Sequence, residues 1–344
     1  RDRQPLAGLS TLDRFLPVWI LAAMASGLLL GQAYPQLGAA LDRVQLAGVS
    51  VPIAIGLLWM MYPVLARVRY DAVGKHTRDV RVMTTSLALN WLVGPVLMFV
   101  LAWIFLPDLP EYRNGLVLIG LARCIAMVLI WTSLAGGSRE LAAVLVAVNS
   151  LFQIVTYALL GYLFLNVIPG WMGAETTTLN VSMGSIARSV GIFLGIPLLA
   201  GYITRRVLVG ARGETWYEDT FMRRLGPTAL VGLLYTIVLM FAMQGDRILA
   251  SPVDVVRIAV PLVVYFILMF GSALLLSRTL GFGYEASASV AFTAAGNTFE
   301  LAIAVAIATF GIASGEAMAS VVGPLIEVPV LVALVYLARW SRSR

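Results

Sequence analysis

Runs of twenty or more residues without a single charged side chain constrain this chain more than any other feature. Leu87–Leu106 and Leu141–Val167 contain no Asp, Glu, Lys or Arg, and shorter charge-free runs such as Ile20–Leu30 recur. About 18 apolar residues suffice to cross the ~30 Å hydrocarbon layer as a helix. A helix is required because lipid offers backbone N–H and C=O groups no partner. Composition agrees: 60% of the residues are hydrophobic and 12% charged, against about 25% charged in soluble domains. The sequence predicts an all-α integral membrane protein, with residues 1–344 forming one membrane domain.

Ten spans are read, at about 15–34, 44–66, 82–106, 116–135, 141–168, 186–204, 226–243, 255–276, 287–310 and 316–338. The first, Phe15–Tyr34, lacks a convincing cleavage site and is expected to be retained as a helix rather than removed as a signal peptide. With the N-terminus placed in the cytoplasm, an even span count puts the C-terminus there too. Loop charges support this count. Of the 24 Lys and Arg, 18 fall on the inner side, including Arg67, Arg69, Lys75, Arg78, Arg139, Arg205, Arg223 and Arg339. Only Arg43, Arg113, Arg247 and Arg257 fall outside, while Arg123 and Arg188 lie within or at the edge of spans. A missed span would scramble this positive-inside alternation. The net charge of +6 therefore reflects basic cytoplasmic loops rather than a nucleic-acid partner.

The halves echo each other. Gly56-Leu57-Leu58-Trp59 resembles Gly232-Leu233-Leu234-Tyr235 at an offset of 176, and Leu28-Leu29-Leu30-Gly31 resembles Leu198-Leu199-Ala200-Gly201. Repeats of about 11–168 and 182–344, each with an odd number of spans, would be inverted. The offset of 176 also carries Cys124 in the fourth span onto Glu300 in the ninth.

Those two spans hold unusual chemistry. The fourth reads Gly120-Leu121-Ala122-Arg123-Cys124, and an arginine in mid-membrane costs about 2.5–3.5 kcal/mol unless it finds a partner or a wet cavity. The ninth reads Gly296-Asn297-Thr298-Phe299-Glu300, where a glycine and polar side chains suit a helix broken to face a solute. Glu327 stands between Pro324 and Pro329 in the tenth. Arg123, Glu300 and Glu327 unpaired would cost on the order of 9 kcal/mol together. Arg123 is therefore expected to pair with one acid, leaving the other to carry protons. Asn90 with Trp91, and Asn149 with Gln153 one helical turn apart, read as interhelical hydrogen-bonding groups. Trp131, seven residues after Cys124, fits either an interfacial anchor or a pocket wall, and Phe292 is a supporting aromatic of the ninth span. His76 is expected in a solvated loop.

One cysteine and one histidine leave no multi-thiolate or zinc site, and no cofactor is expected. No Gly-Lys-Ser/Thr phosphate loop, His-Glu-x-x-His or serine-elbow motif is present. That pattern predicts a transporter rather than an enzyme, energised by an ion gradient.

Arg123-Cys124, the run Asn297–Val305 and the run Gly323–Pro329 are similar to the motifs of arsenite-efflux permeases of the bile acid/arsenite/riboflavin transporter superfamily. The resemblance covers essentially the whole chain, including Asn90–Pro95 and Asn149-Ser150. It implies ten helices in two inverted five-helix repeats, with crossed, discontinuous fourth and ninth helices. It also implies extrusion of arsenite, sometimes antimonite, from the cytoplasm across the plasma membrane against protons. The positions matching Cys124 and Glu300 are implied to matter for transport. Thr298 departs from the family, which often has a second asparagine there. Trivalent arsenic is thiophilic, so a soft sulfur suits it, while Asn297, Thr298, Arg123 and Glu300 would meet its hydroxyls, with Glu300 and Glu327 as proton carriers. Rival readings are a sodium-coupled organic-anion symporter of the same superfamily and a passive metalloid channel.

Overall fold

The computed structural model describes residues 15–41, 43, 45–46, 49–69, 79–125, 127–173, 182–250 and 252–342. His76 and several of the cations expected on the inner side, among them Lys75 and Arg78, lie outside these residues. Every expected span falls on a helix or on a broken pair of helices. The helices are α1 Leu16–Ala33, α2 Val51–Ala66, α3 Val80–Phe105, α4 Pro110–Leu121, α5 Met127–Ala135 and α6 Arg139–Trp171. They continue with α7 Met183–Arg212, α8 Thr228–Ala250, α9 Pro252–Thr279, α10 Tyr284–Ala295, α11 Phe299–Phe310 and α12 Gly315–Arg342. Among the described residues, six helical stretches are long and apolar enough to cross a membrane.

Several boundaries differ from expectation: α4 begins at Pro110 rather than 116, α7 runs to Arg212 rather than 204, and α8 runs to Ala250 rather than 243. The second span was expected from residue 44, yet its helix begins at Val51, behind two short antiparallel strands, Gln45–Leu46 and Val49–Ser50. Pro52 sets this start, because a proline fits the first turn of a helix, where no N–H is needed, and Ser50 before it is extended.

Three long helices contain a π-helical turn: Leu89–Val93 in α3, Leu163–Val167 in α6 and Gly191–Gly195 in α7. Each is followed by a proline within two residues, namely Pro95, Pro169 and Pro197. A proline ring in mid-helix lacks an N–H and crowds the carbonyl four residues back. The wider turn gives that carbonyl room, so the helix bends instead of ending.

The molecule carries its apolar surface outward. Val155 is 70% exposed, Leu29 66% and Ile104 64%, whereas Arg123, Gln153 and Thr293 are all at 0%. This is the distribution a lipid solvent demands, and the chain is a multi-pass membrane protein.

Glycines bring the first, second, sixth and seventh spans into backbone contact, and the contacts are reciprocal. A Cβ on Gly31 of α1 would stand 2.3 Å from the carbonyl oxygen of Ala242 in α8. One on Gly201 of α7 would stand 2.7 Å from the amide nitrogen of Ala66 in α2. Likewise Gly56 meets Thr236, and Gly232 meets Met60. Ala66 and Ala242 are 176 residues apart, as are Gly56 and Gly232, and Met60 and Thr236. The Trp59 and Tyr235 rings, at the same offset, face each other with centroids 6.5 Å apart.

Replacing Gly31 or Gly201 with Val should force these helices apart at a cost of about 1–3 kcal/mol. A lower thermal midpoint of the detergent-solubilised protein would register it. Gly210→Ala, where an added Cβ meets nothing within 4 Å, serves as the control and should not lower the midpoint.

Candidate functional site

The site is built where two helices stop in mid-protein. Helix α4 ends at Leu121, and the chain is extended at Ala122 (φ −86°, ψ 102°) before resuming as α5. Helix α10 ends at Ala295, with Gly296 (φ −73°, ψ 146°) and Thr298 (φ −100°, ψ 92°) extended before α11. The two extended pieces run antiparallel, and Arg123 faces Asn297. The Cys124 N–H donates to Gly296 O at 3.3 Å, and the Thr298 N–H donates to Ala122 O at 3.0 Å. Each break thus supplies partners for backbone groups that the other has freed, as a buried backbone requires.

Side chains complete the exchange. The Asn297 amide donates to Ile119 O at 2.7 Å and to Ala122 O at 3.1 Å, capping the end of α4. The Thr298 hydroxyl donates to Arg123 O, and the Arg123 N–H donates to Gln153 Oε1. Gly296 permits the crossing: a Cβ there would stand 2.9 Å from Cys124 Cβ and 3.3 Å from its Sγ.

Among the described residues, the expected ion pair between Arg123 and an acid is not made. Its guanidinium donates instead to Gly120 O, to Ala294 O at 3.4 Å and to the Tyr265 hydroxyl at 3.0 Å. Gly120 and Ala294 lie in the last turns of α4 and α10. Two helix C-termini, each with unsatisfied carbonyls and a partial negative charge, offer a cation what a carboxylate would. One guanidinium has enough donors to serve both. Tyr265, a member of this arrangement, was missed because a tyrosine inside an apolar span reads as core.

Glu300 occupies the second position of α11 and is partly exposed, whereas Glu327 is 5% exposed. Glu327 Oε1 accepts the Asn297 N–H at 3.3 Å, and the two carboxylates are near enough for their charges to interact. The breaks themselves are 174 residues apart, measured at Leu121 and Ala295 or at Arg123 and Asn297. In that local register Cys124 corresponds to Thr298, not to Glu300. Cys124 is 2% exposed and lies against Gly296.

The supporting residues divide. Gln153 reaches the crossing directly, while Asn149 accepts from Trp91 Nε1 at 3.1 Å and so ties α6 to α3. Asn90 turns back on its own helix, donating to Ser86 O at 2.8 Å. Trp131 is fully buried, which settles it as an interior ring rather than an interfacial anchor. Phe292 packs on Phe270 with centroids 4.8 Å apart. Asn297 Oδ1, Gln153 Nε2, Asn149 Nδ2, Trp131 Nε1 and Arg123 Nε make no hydrogen bond among the described residues. A cavity of about 420 Å³ has Ile125, next in sequence to Cys124, in its lining, together with Val146, Arg67, Arg139, Arg223 and the acids Glu218 and Asp219.

The model of the sodium bile acid symporter family matches residues 54–251. The chain is 54% identical to the arsenical-resistance protein Acr3 of Corynebacterium glutamicum, over 99% of this chain and 92% of that protein. It is 32% identical to the protein of the same name from Alkaliphilus metalliredigens, over 97% and 94% of the two chains. It is also 35% identical to an uncharacterized Synechocystis transporter, slr0944, over 96% and 89%. Two broken helices crossing among buried polar side chains, in a chain so closely related over its whole length, make this protein a membrane transporter that belongs to the sodium bile acid symporter family.

Proposed function

We propose that this protein exports arsenite, and antimonite as a close analogue, across the plasma membrane in exchange for protons. The single observation that carries the reading is the crossing of the two breaks. It brings the buried Cys124, Asn297 and Glu327 together, with Glu300 following at the start of α11. The named relatives support the substrate class. A soft sulfur holds trivalent arsenic, and a single thiol holds it weakly enough for release. The unmet polar atoms of Asn297, Gln153 and Asn149 suit the hydroxyls of arsenous acid.

The working topology is ten spans in two inverted five-helix repeats, with both termini in the cytoplasm. The reciprocal glycine contacts and the loop charges support it. In that orientation the cavity lined by arginines, Glu218, Asp219 and Ile125 serves as the cytoplasmic approach toward Cys124. Arsenite binds from this side while Glu300 is ionised. Protonation of Glu300 from outside accompanies release, and the site turns inward again to give up the proton.

Two measurements test this reading in everted membrane vesicles, where export appears as uptake. Glu300→Gln should lower the uncoupler-sensitive initial rate of arsenite uptake by about tenfold or more while the protein is still inserted at normal levels. Wild-type uptake by that variant would refute proton coupling through Glu300. Cys124→Ser should reduce arsenite uptake by roughly three- to tenfold, by weakening soft-metalloid binding. Unchanged uptake would leave Cys124 as packing against Gly296. Because the family is described by a sodium symporter, uptake is also compared with and without sodium. A sodium requirement would favour cation symport over proton exchange.

A further inference from the structure

A second buried carboxylate lies away from the crossing, and nothing so far gives it a task. Glu316 sits in the first turn of α12 and is 3% exposed. Its Oε1 accepts a hydrogen bond from the Asn114 amide of α4 at 3.3 Å, and Asn114 is itself 6% exposed. Beside it the exposed Glu111 accepts the Gly315 N–H at 2.9 Å. The two helix ends touch closely: a Cβ on Gly115 would stand 2.8 Å from Glu316 O, and one on Gly315 would stand 2.6 Å from Glu111 Cβ.

No described cation forms an ion pair with Glu316. From α4, Arg113 is turned away, donating to Pro107 O at 3.2 Å with its guanidinium 3.8 Å from the centre of the Trp103 ring. Glu111 and Tyr112 are the other ionisable groups of α4 at that end. Near the start of α9 stand Asp254 and Arg257, the latter paired with Asp108. Helices α1 and α5 bring no charge to α12, and α11 brings only Glu300, next to Glu327. An intramembrane acid without a cation partner is the arrangement of a proton carrier rather than of an ion pair.

Glu316 also has a route inward. At 100° per residue, Glu316, Ser320 and Glu327 fall within about 40° on one face of α12, and the two acids are ~16 Å apart along it. All three are buried, and the Ser320 hydroxyl donates to Glu316 O at 2.9 Å. Between Ser320 and Glu327 the same face presents Gly323, where an added Cβ would overlap the Phe299 ring. That ring, from the residue before Glu300, packs against this face between the two acids.

We propose that Glu316 is the carboxylate through which protons from the outer face join the transport cycle, with Glu111 collecting them and the Ser320 face leading to Glu327. The proposal rests on the proton-exchange and termini-inside reading above. A proton from the outer solution forms an O–H bond on a Glu316 carboxylate oxygen. That bond breaks as the proton passes to water on the Ser320 face, and water at the inner end of that face gives a proton to a Glu327 carboxylate oxygen; no electrons change hands. Asn114 is the positioning residue, fixing the Glu316 carboxyl against α4.

The test uses everted vesicles and two assays: arsenite uptake driven by an acid lumen, and arsenite counterflow without a gradient. Glu316→Gln keeps the size and an acceptor for Asn114 but cannot carry a proton. It should retain counterflow within about twofold of wild type while gradient-driven uptake falls by about tenfold, and Glu316→Asp should recover part of that uptake. Wild-type gradient-driven uptake by Glu316→Gln, with wild-type protein sensitive to an uncoupler, would overturn this assignment and leave proton exchange standing. Loss of counterflow together with uptake in both variants would make Glu316 a brace between α4 and α12, and would also overturn it. Uncoupler-insensitive uptake by the wild type would instead remove proton exchange itself, and this role with it.

Discussion

A backbone that leaves its helix inside a membrane must find new partners for its N–H and C=O groups, because lipid supplies none. Here the partners of one break are supplied by the other. Two main-chain hydrogen bonds join the extended pieces around Arg123 and Asn297, and three side chains close what remains. Neither break is stable alone in this form. The crossing is therefore a single structural unit with four half-helices attached, and the rest of the protein is arranged to hold it. Arg123 is central to that unit: with Gly120 O, Ala294 O and the Tyr265 hydroxyl as acceptors, it joins α4, α10 and α9. A lysine in its place has no planar fork with which to serve acceptors on three helices.

The glycine contacts set a second constraint, on how the other helices may sit. Gly31 against Ala242 and Gly201 against Ala66 let α1 approach α8, and α7 approach α2, to backbone distance. In a lipid solvent such approach replaces the hydrophobic drive that would assemble helices in water. The same pairs of positions recur in both halves, so a change on one side of the molecule has a counterpart on the other.

Much of this was legible in the residues because the bilayer punishes irregularity so heavily. Charge-free runs mark helices, and the helices appear where those runs are. Gly296-Asn297 in an apolar run marked a break, and α10 does end there. What could not be read was where a buried cation finds its partners. Carbonyl oxygens leave no mark in a sequence, so Arg123 was expected to seek a carboxylate, whereas helix ends serve it. The offset of 176 read in the sequence holds for the contacts of Gly56 and Gly232 but not at the breaks, which are 174 residues apart. Glu316 escaped notice because an acid at the edge of a span reads as interfacial. Only the fold brings Asn114 over it.

The π-helical turns have a further effect on how the protein meets its surroundings. Helix α6, at 33 residues, and α7, at 30, are longer than the hydrocarbon layer is thick: ~50 Å and ~45 Å of helix against ~30 Å of lipid. A straight rod of that length tilts steeply or drags the bilayer with it. The wide turns ahead of Pro169 and Pro197 provide places where these helices bend at small cost. In α6 the wide turn begins ten residues beyond Gln153, so a bend there that fits the helix to the bilayer can leave the hydrogen bond of Gln153 to the crossing in place.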